Sequence, residues 1–418
     1  TLTLAQRTPP TAGQPHKQPL PIPVNVALFA ADGTPFPLHL HGAAVPIAAA
    51  LVLEFADTAR RFVFENVPSV PTPSLLRGFS APVRITFDYT PAQLALLAQH
   101  ETEGFDRWNA AQPLAARAFD EQLAGNAGHA ATDAWLTVLA QLFESRANID
   151  PALLADLLMP PSALEFGARS APFDPDAVHA AREALENALA RRLGKTLADA
   201  YRELHTDETG NLGQAAAARR RLKARVLALL LRCDASTGAE FAFTQFEGAQ
   251  GMTDRLSALS ALLRSGAAQA GDALCAYRER FDGDALTLDK WFMLQATQPE
   301  HAALERVQTL ESDPAFTLAN PNRVHALLGA FARANPVAFH RPDGAGHRYF
   351  SGKLAEIDAR HPQLAARLAK AFEDWSRLEP TRRRSAETAL WELLARGDHS
   401  SDLTEMLIRK LTAGETAG

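Results

Sequence analysis

Residues 181–204 read A-R-E-A-L-E-N-A-L-A-R-R-L-G-K-T-L-A-D-A-Y-R-E-L. Apolar side chains recur at Leu185, Leu189, Leu193, Leu197, Tyr201 and Leu204. That spacing of three or four lines one face of a helix with about 3.6 residues per turn. Leu222, Val226, Leu229 and Leu230 form a second stripe, and the same period runs from Pro91 through nearly all of the remaining chain. Breaks at Pro160-Pro161, Gly210, Gly248 to Gly251, Pro299, Pro336, Pro362 and Pro380 divide it into roughly fifteen helices of modest length. So many short helices cannot surround one core, so a layered array of helix pairs is predicted, an α-solenoid. No strict internal repeat period is present, which points to an irregular superhelix rather than a consensus array.

Toward the N-terminus the period falls to two. Thirteen of the 27 prolines precede Thr90. They separate short alternating runs, Val24 to Phe29, Ala50 to Phe55, Arg61 to Phe64 and Val83 to Phe87, that read as strands between proline turns. Each strand has to bury one face against another sheet, so these residues predict a small β-sandwich. The expected organisation is a mainly α protein, with a β-sandwich domain over residues 1–90 followed by a helical α-solenoid domain over residues 91–418.

The 418 residues are 47% apolar and 22% charged, with 42 basic against 48 acidic side chains. A net charge of -6 creates no field that would draw in nucleic acid or an anionic membrane, so neither is expected as a partner. Arg219-Arg220-Arg221 and Arg382-Arg383-Arg384 are consecutive and should fan around their helices as solvated surface. Cys233 and Cys275 are the only cysteines, set in apolar helical surroundings and unable to form a disulfide framework, which suits a reducing, cytoplasmic setting. The apolar stretch from Gly42 to Leu53 contains Pro46 and falls short of the ~20 residues that cross a bilayer. No signal-peptide pattern is visible. The chain starts without methionine, at Thr1-Leu2-Thr3-Leu4, already in strand alternation, as expected of a piece of a longer polypeptide.

Chemistry is sparse. A helical zinc site needs His-Glu-x-x-His, because i, i+4 spacing puts two imidazoles on one face. His100-Glu101 begins that string, but Gly104 occupies the second histidine's place, which leaves an exposed helix end. His39 and His41 have chelating spacing on a strand, yet two ligands alone read as surface histidines. His205 with Asp207 and Glu208 reads as a charged helix end. Five residues separate Gly346 from Gly352, and Lys353 is followed by Leu354, so no phosphate loop forms. Neither a dinucleotide loop, a calcium loop nor Gly-x-Ser-x-Gly is complete. No catalytic residue and no metal ligand set is predicted within this chain.

One polar pair stands out. Pro362 should open a helix running to about Glu379, with Leu364, Leu368, Phe372, Trp375 and Leu378 buried. Gln363 and Arg367 are four apart and so share its polar face. An amide beside a fixed cation suits a peptide carbonyl or carboxylate, although from spacing alone an ordinary exposed helix face is the favoured reading.

Several strings in order resemble the C-terminal portion of the bacterial alanyl aminopeptidase N family of thermolysin-like zinc metallopeptidases. They are Thr1 to Pro9, Phe79-Ser80-Ala81-Pro82-Val83, F-D-R-W-N-A-A-Q over Phe105 to Gln112, Met252-Thr253-Asp254, Asp289-Lys290-Trp291-Phe292, Gln295-Ala296-Thr297 and Asn320-Pro321-Asn322-Arg323. The resemblance implies an intact enzyme that removes single N-terminal residues from short peptides. Its N-terminal and catalytic domains, with the zinc and its ligands, would lie outside this segment, and the present segment would wall and gate the substrate cavity. The family's Asn-Pro-Gln-x-x-x-Arg string implies substrate contacts from Gln363 and Arg367, with Arg323 lining the same cavity. His361 stands in place of that Asn, which alters the helix cap, and His325 stands where the family has an arginine. The alternative expectation is a free-standing α-solenoid scaffold that binds another protein along its concave face.

Overall fold

The computed structural model describes residues 1–42, 48–125, 129–167, 172–206 and 210–415. Pro46, Asp207 and Glu208 lie outside the described residues. Packing divides the chain into two compact units, Thr1–Pro160 and Pro161–Gly418.

In the first unit, seven described strands are β1 (Leu2–Ala5), β2 (Ile22–Phe29), β3 (His39–Leu40), β4 (Leu51–Phe55), β5 (Ala59–Phe62), β6 (Phe64–Glu65) and β7 (Thr72–Leu75). They pair antiparallel as β1-β5, β4-β2-β7 and β3-β6. The register puts Val26 of β2 opposite Leu51 on one side and Leu75 on the other. Val24, Val26 and Leu28 therefore point the same way and join Leu4, Leu53, Phe55, Phe62 and Leu75 in one core. The expected strand over Val83 to Phe87 is not in a ladder: Ile85 packs on that core, but the run has no partner strand among the described residues.

Four helices complete this unit: α1 (Pro91–His100), α2 (Gly104–Ala124), α3 (Ala130–Glu144) and α4 (Pro151–Leu157). A capping box fixes the start of α1, with Thr90 Oγ1 accepting from the Gln93 N–H and Gln93 Oε1 accepting from the Thr90 N–H. The periodicity changes at Pro91, whereas packing divides at Pro160. Polar bonds tie α1 and α2 to the β region: Tyr89 Oη donates to Pro73 O at 2.8 Å, and Arg77 Nη2 donates to Glu101 Oε2 at 2.8 Å. Glu101 is buried, so His100-Glu101 is not the exposed helix end that its sequence suggests. The carboxylate is enclosed because Arg77 neutralises it.

The second unit is helical. Its elements are α5 (Ala163–Gly167), α6 (Pro175–Leu193), α7 (Thr196–Leu204), α8 (Gln214–Cys233), α9 (Ala235–Gly248), α10 (Met252–Ser265), α11 (Ala270–Arg280), α12 (Ala285–Ala296), α13 (Ala303–Leu310), α14 (Pro321–Val324), α15 (Ala330–Ala334), α16 (Pro336–Phe339), α17 (Ala345–Asp358), α18 (Pro362–Leu368), α19 (Pro380–Ala395) and α20 (Ser401–Glu415). Sequential neighbours pack on one another from α7 through α13, as an irregular helical array requires. The stripe from Leu185 to Tyr201 is buried, but it spans two helices, because Gly194 turns the chain with φ 54° between α6 and α7. A side chain there would be strained, which is why glycine ends the helix.

An open array keeps its first and last helices apart, and this unit does not. The Phe173 N–H donates to Arg377 O at 2.7 Å and the Glu379 N–H donates to Phe173 O at 2.9 Å. Arg382 is buried, donates from Nε to His340 O at 2.6 Å, and pairs with Asp174 at 3.2 Å and with Asp176. Thus Arg382 leaves the solvated cluster its sequence predicts, while Arg383 and Arg384 stay exposed. Both cysteines are free and lie on exposed helix positions, not in apolar surroundings. No described helix is long and apolar enough to cross a membrane.

Candidate functional site

Three proline-headed helices in the second unit show how caps are built here. Asn320 Oδ1 accepts from the N–H groups of Asn322 and Arg323, and Asn335 Oδ1 accepts from the Ala338 N–H at 3.2 Å. His361 heads α18 but makes no side-chain cap, since imidazole does not place an acceptor where Asn does. Its Nε2 is buried without a hydrogen-bond partner. The helix that follows is short: α18 ends at Leu368, and the chain continues as 3-10 turns over Ala369–Phe372 and Trp375–Arg377, not as one helix to Glu379. The predicted stripe of Leu364, Leu368, Phe372, Trp375 and Leu378 is nevertheless buried.

Gln363 and Arg367 come together on the exposed side of α18 and line a hollow of about 570 Å³ with Arg360, His361, Pro362 and Leu364. That volume is in the range of small-ligand sites. Two exposed guanidinium groups and one amide give it donors for a carboxylate. With only seven residues in α18, the arginine charges supply the attraction rather than the helix N-terminus.

Arg323 is elsewhere. It is 4% exposed and lies over the Phe292 ring at 4.9 Å. Its Nε donates to Asp289 Oδ1 at 2.6 Å and its Nη1 to Ala315 O at 2.5 Å. It is not among the residues lining the hollow. Two residues on, the chain makes a single π-turn, His325–Gly329, and His325 meets Arg367, whose Nη2 donates to His325 Nε2 at 2.5 Å. Burial first, then the positive charges of Arg367 and Arg333, hold the His325 imidazole below its ordinary pKa. The ring is therefore neutral and free to accept. A Cβ at Gly329 would stand 3.1 Å from both His325 Nδ1 and Leu368 Cδ2, so any larger residue makes these two side chains give way. Sequence reading places Gln363 beside Arg367 but gives no sign of this turn, because a single π-turn shifts a short apolar stripe by only one residue.

Among the described residues no group of three or more His, Cys, Asp or Glu side chains converges. His41 is exposed and pairs with Glu65, Nδ1 to Oε1 at 2.5 Å, while His39 sits in β3 opposite Glu65.

Residues 91–412 match a domain of unknown function (DUF3458_C) described as ARM repeats, and residues 1–88 match a domain of unknown function (DUF3458) with an Ig-like fold. Aminopeptidase N of Escherichia coli (strain K12) is 35% identical over 419 residues, covering 98% of this chain and 47% of that protein. Aminopeptidase N of Haemophilus influenzae is 32% identical over 416 residues, with the same coverage of 98% and 47%. Aminopeptidase N of Caulobacter vibrioides is 33% identical over 348 residues, 83% of this chain and 40% of that protein. The crystal structure of Legionella pneumophila aminopeptidase A in complex with aspartic acid superposes with a TM-score of 0.79 at 27% identity, over 94% of this chain and 45% of that one. The chain spans about half the length of the curated relatives it matches. The β region and the helical array thus agree with the two matched domains, and the chain belongs to the DUF3458_C family, as the Ig-like and ARM-repeat C-terminal portion of an aminopeptidase N relative.

Proposed function

We propose that this chain is the C-terminal segment of a zinc aminopeptidase that removes single N-terminal residues from short peptides. In this reading the segment walls and gates the substrate cavity, and the zinc and its ligands come from the N-terminal and catalytic domains of the same polypeptide. One observation carries it: nearly the whole chain aligns with aminopeptidase N, yet only about half of that protein is spanned. Gln363 and Arg367 are the substrate-facing pair, supported by their shared hollow. Aspartic acid, the ligand of the Legionella protein, is an α-amino acid whose carboxylates suit such guanidinium donors. Arg323 enters from behind, anchoring through Asp289 the segment that carries His325. The free cysteines fit a cytoplasmic setting.

The test is the native product, isolated with an antibody to this segment and assayed for release of N-terminal alanine from a short peptide. A product well above 45.2 kDa, active with zinc while the 418-residue chain alone is inactive, is the expected outcome. Activity from the 418-residue chain would overturn the division of labour. A native product of 45.2 kDa without a hydrolytic partner would instead support the free-standing scaffold.

A further inference from the structure

The first unit contains a strained turn that holds an aromatic ring out of the core. Leu76, Gly78 and Phe79 have φ of 59°, 62° and 54°, in the left-handed region that disfavours every residue but glycine. Two polar contacts fix the turn. Both carboxylate oxygens of Asp106 accept the Gly78 N–H at 3.0 Å, and Arg77 is locked onto buried Glu101. Burial pushes the Asp106 carboxyl above its ordinary pKa, so the carboxylate is kept there against its own desolvation.

The product of this arrangement is exposed apolar surface. Phe79 is 58% exposed and stands edge-to-face on Phe105 at 5.6 Å, and Phe105 lies 6.4 Å from Trp108. Phe105 and Trp108 are themselves 44% and 38% exposed. The chain then runs into Val83 to Asp88, whose alternation is that of a strand but which pairs with no described strand. Val83 and Phe87 are each more than a third exposed, and among the described residues the N–H groups from Arg84 to Asp88 donate to nothing. Backbone strain persists where surrounding contacts enforce it and clusters at functional sites, and an unpaired strand edge is a template for pairing with another segment.

We propose that this face, Phe79, Phe105 and Trp108 with the unpaired run Val83 to Asp88, is the seat of an extended segment from the remaining half of the same longer polypeptide. The segment adds a strand to the 84–88 backbone and lays apolar side chains on the three rings. The occupant follows from length. The matched relatives carry about as much polypeptide again beyond the part that this chain spans, and a covalently attached half meets such a face at high effective concentration. The inference rests on the proposed function above, in which that other half exists.

The experiment compares amide hydrogen exchange of residues 84–88 in the native-length product and in the 418-residue chain. Expected is a product heavier than 45.2 kDa in which those amides exchange at least about tenfold more slowly than in the 418-residue chain. A heavier product with equal exchange in both overturns the docking face while leaving the proposed function standing. A native product of 45.2 kDa removes both, and the mass tells the two failures apart. A double variant, Phe79→Ser with Trp108→Ser, gives a second readout. It should lower the thermal midpoint of the native-length protein more than that of the 418-residue chain, which loses the contacts of the rings with Phe105. An equal shift in both, or dimers of the 418-residue chain that the variant abolishes, would also overturn the proposal.

Discussion

Arg323 and Arg367 are the same residue type in the same helical unit, and their surroundings give them opposite work. Arg323 is enclosed, faces Asp289 and Phe292, and spends its donors on Asp289 and on backbone carbonyls. Arg367 stands at an open hollow, and the partner it meets in the structure is a neutral imidazole. A buried guanidinium requires a fixed counter-charge. An exposed one held by a neutral acceptor keeps its charge available to a ligand. The acceptor, more than the arginine, distinguishes a structural site from a recognition site here.

The largest effect should come from the enclosed arginine. Arg323→Ala strands the Asp289 carboxylate and leaves two backbone carbonyls short of a donor, so urea unfolding should show a loss of about 3–5 kcal/mol. A loss no greater than that for Arg367→Ala would erase the contrast. Next in size is a pH effect on the buried side of the comparison. His340 and His347 are buried and share a 2.8 Å contact, with Ser385 Oγ 3.2 Å from His347. Burial pushes the His347 imidazole down to about 3, and burial followed by the charges of His347 and Arg382 lowers His340 strongly. The unfolded chain takes up these protons near pH 6.5, its ordinary value, while the fold does not. Stability is therefore full above that pH and falls as pH drops through the window down to about 3. Between pH 7.5 and 5, His347 alone should remove about 2 kcal/mol, measurable as a falling unfolding midpoint whose slope is reduced by that share in His347→Gln while the contribution of His340 remains.

Smaller again is Gly329→Ala. Its methyl would press on His325 and Leu368 at 3.1 Å and should lower stability by about 1 kcal/mol while parting His325 from Arg367. If the acceptor defines the site, this variant weakens carboxylate binding more than it weakens the fold. Smallest in stability is Arg367→Ala, within about 0.5 kcal/mol of the parent. Calorimetric titration with a small dicarboxylate should nonetheless show reduced affinity in this variant, and undiminished binding would take Arg367 out of the site.

Much of this was legible in the residues. The change of period at Pro91 announces strands before and helices after, because side-chain direction alone fixes those two rhythms. The i, i+4 spacing of Gln363 and Arg367 was enough to bring them to one hollow. What stayed hidden depends on partners distant in sequence. Arg382 looks like its neighbours Arg383 and Arg384 until Asp174 and Asp176 come up against it. Glu101 looks solvated until Arg77 closes on it. Val83 to Phe87 has the alternation of a strand, yet a strand needs a neighbour that no single run can specify. The π-turn at His325 and the break at Gly194 each turn on one residue, below the resolution of any periodicity.

The clasp between the start of α6 and the start of α19 sets a timetable for synthesis. Asp176 and Arg382 are 206 positions apart, so at ribosomal rates of about 5–20 residues per second the acidic end of α6 waits roughly ten to forty seconds for its arginine. Through that interval Phe173 has no chain to bridge and two carboxylates repel one another at a helix start. The helical unit can coil up locally as it emerges, but it can lock only when nearly all of it has been made.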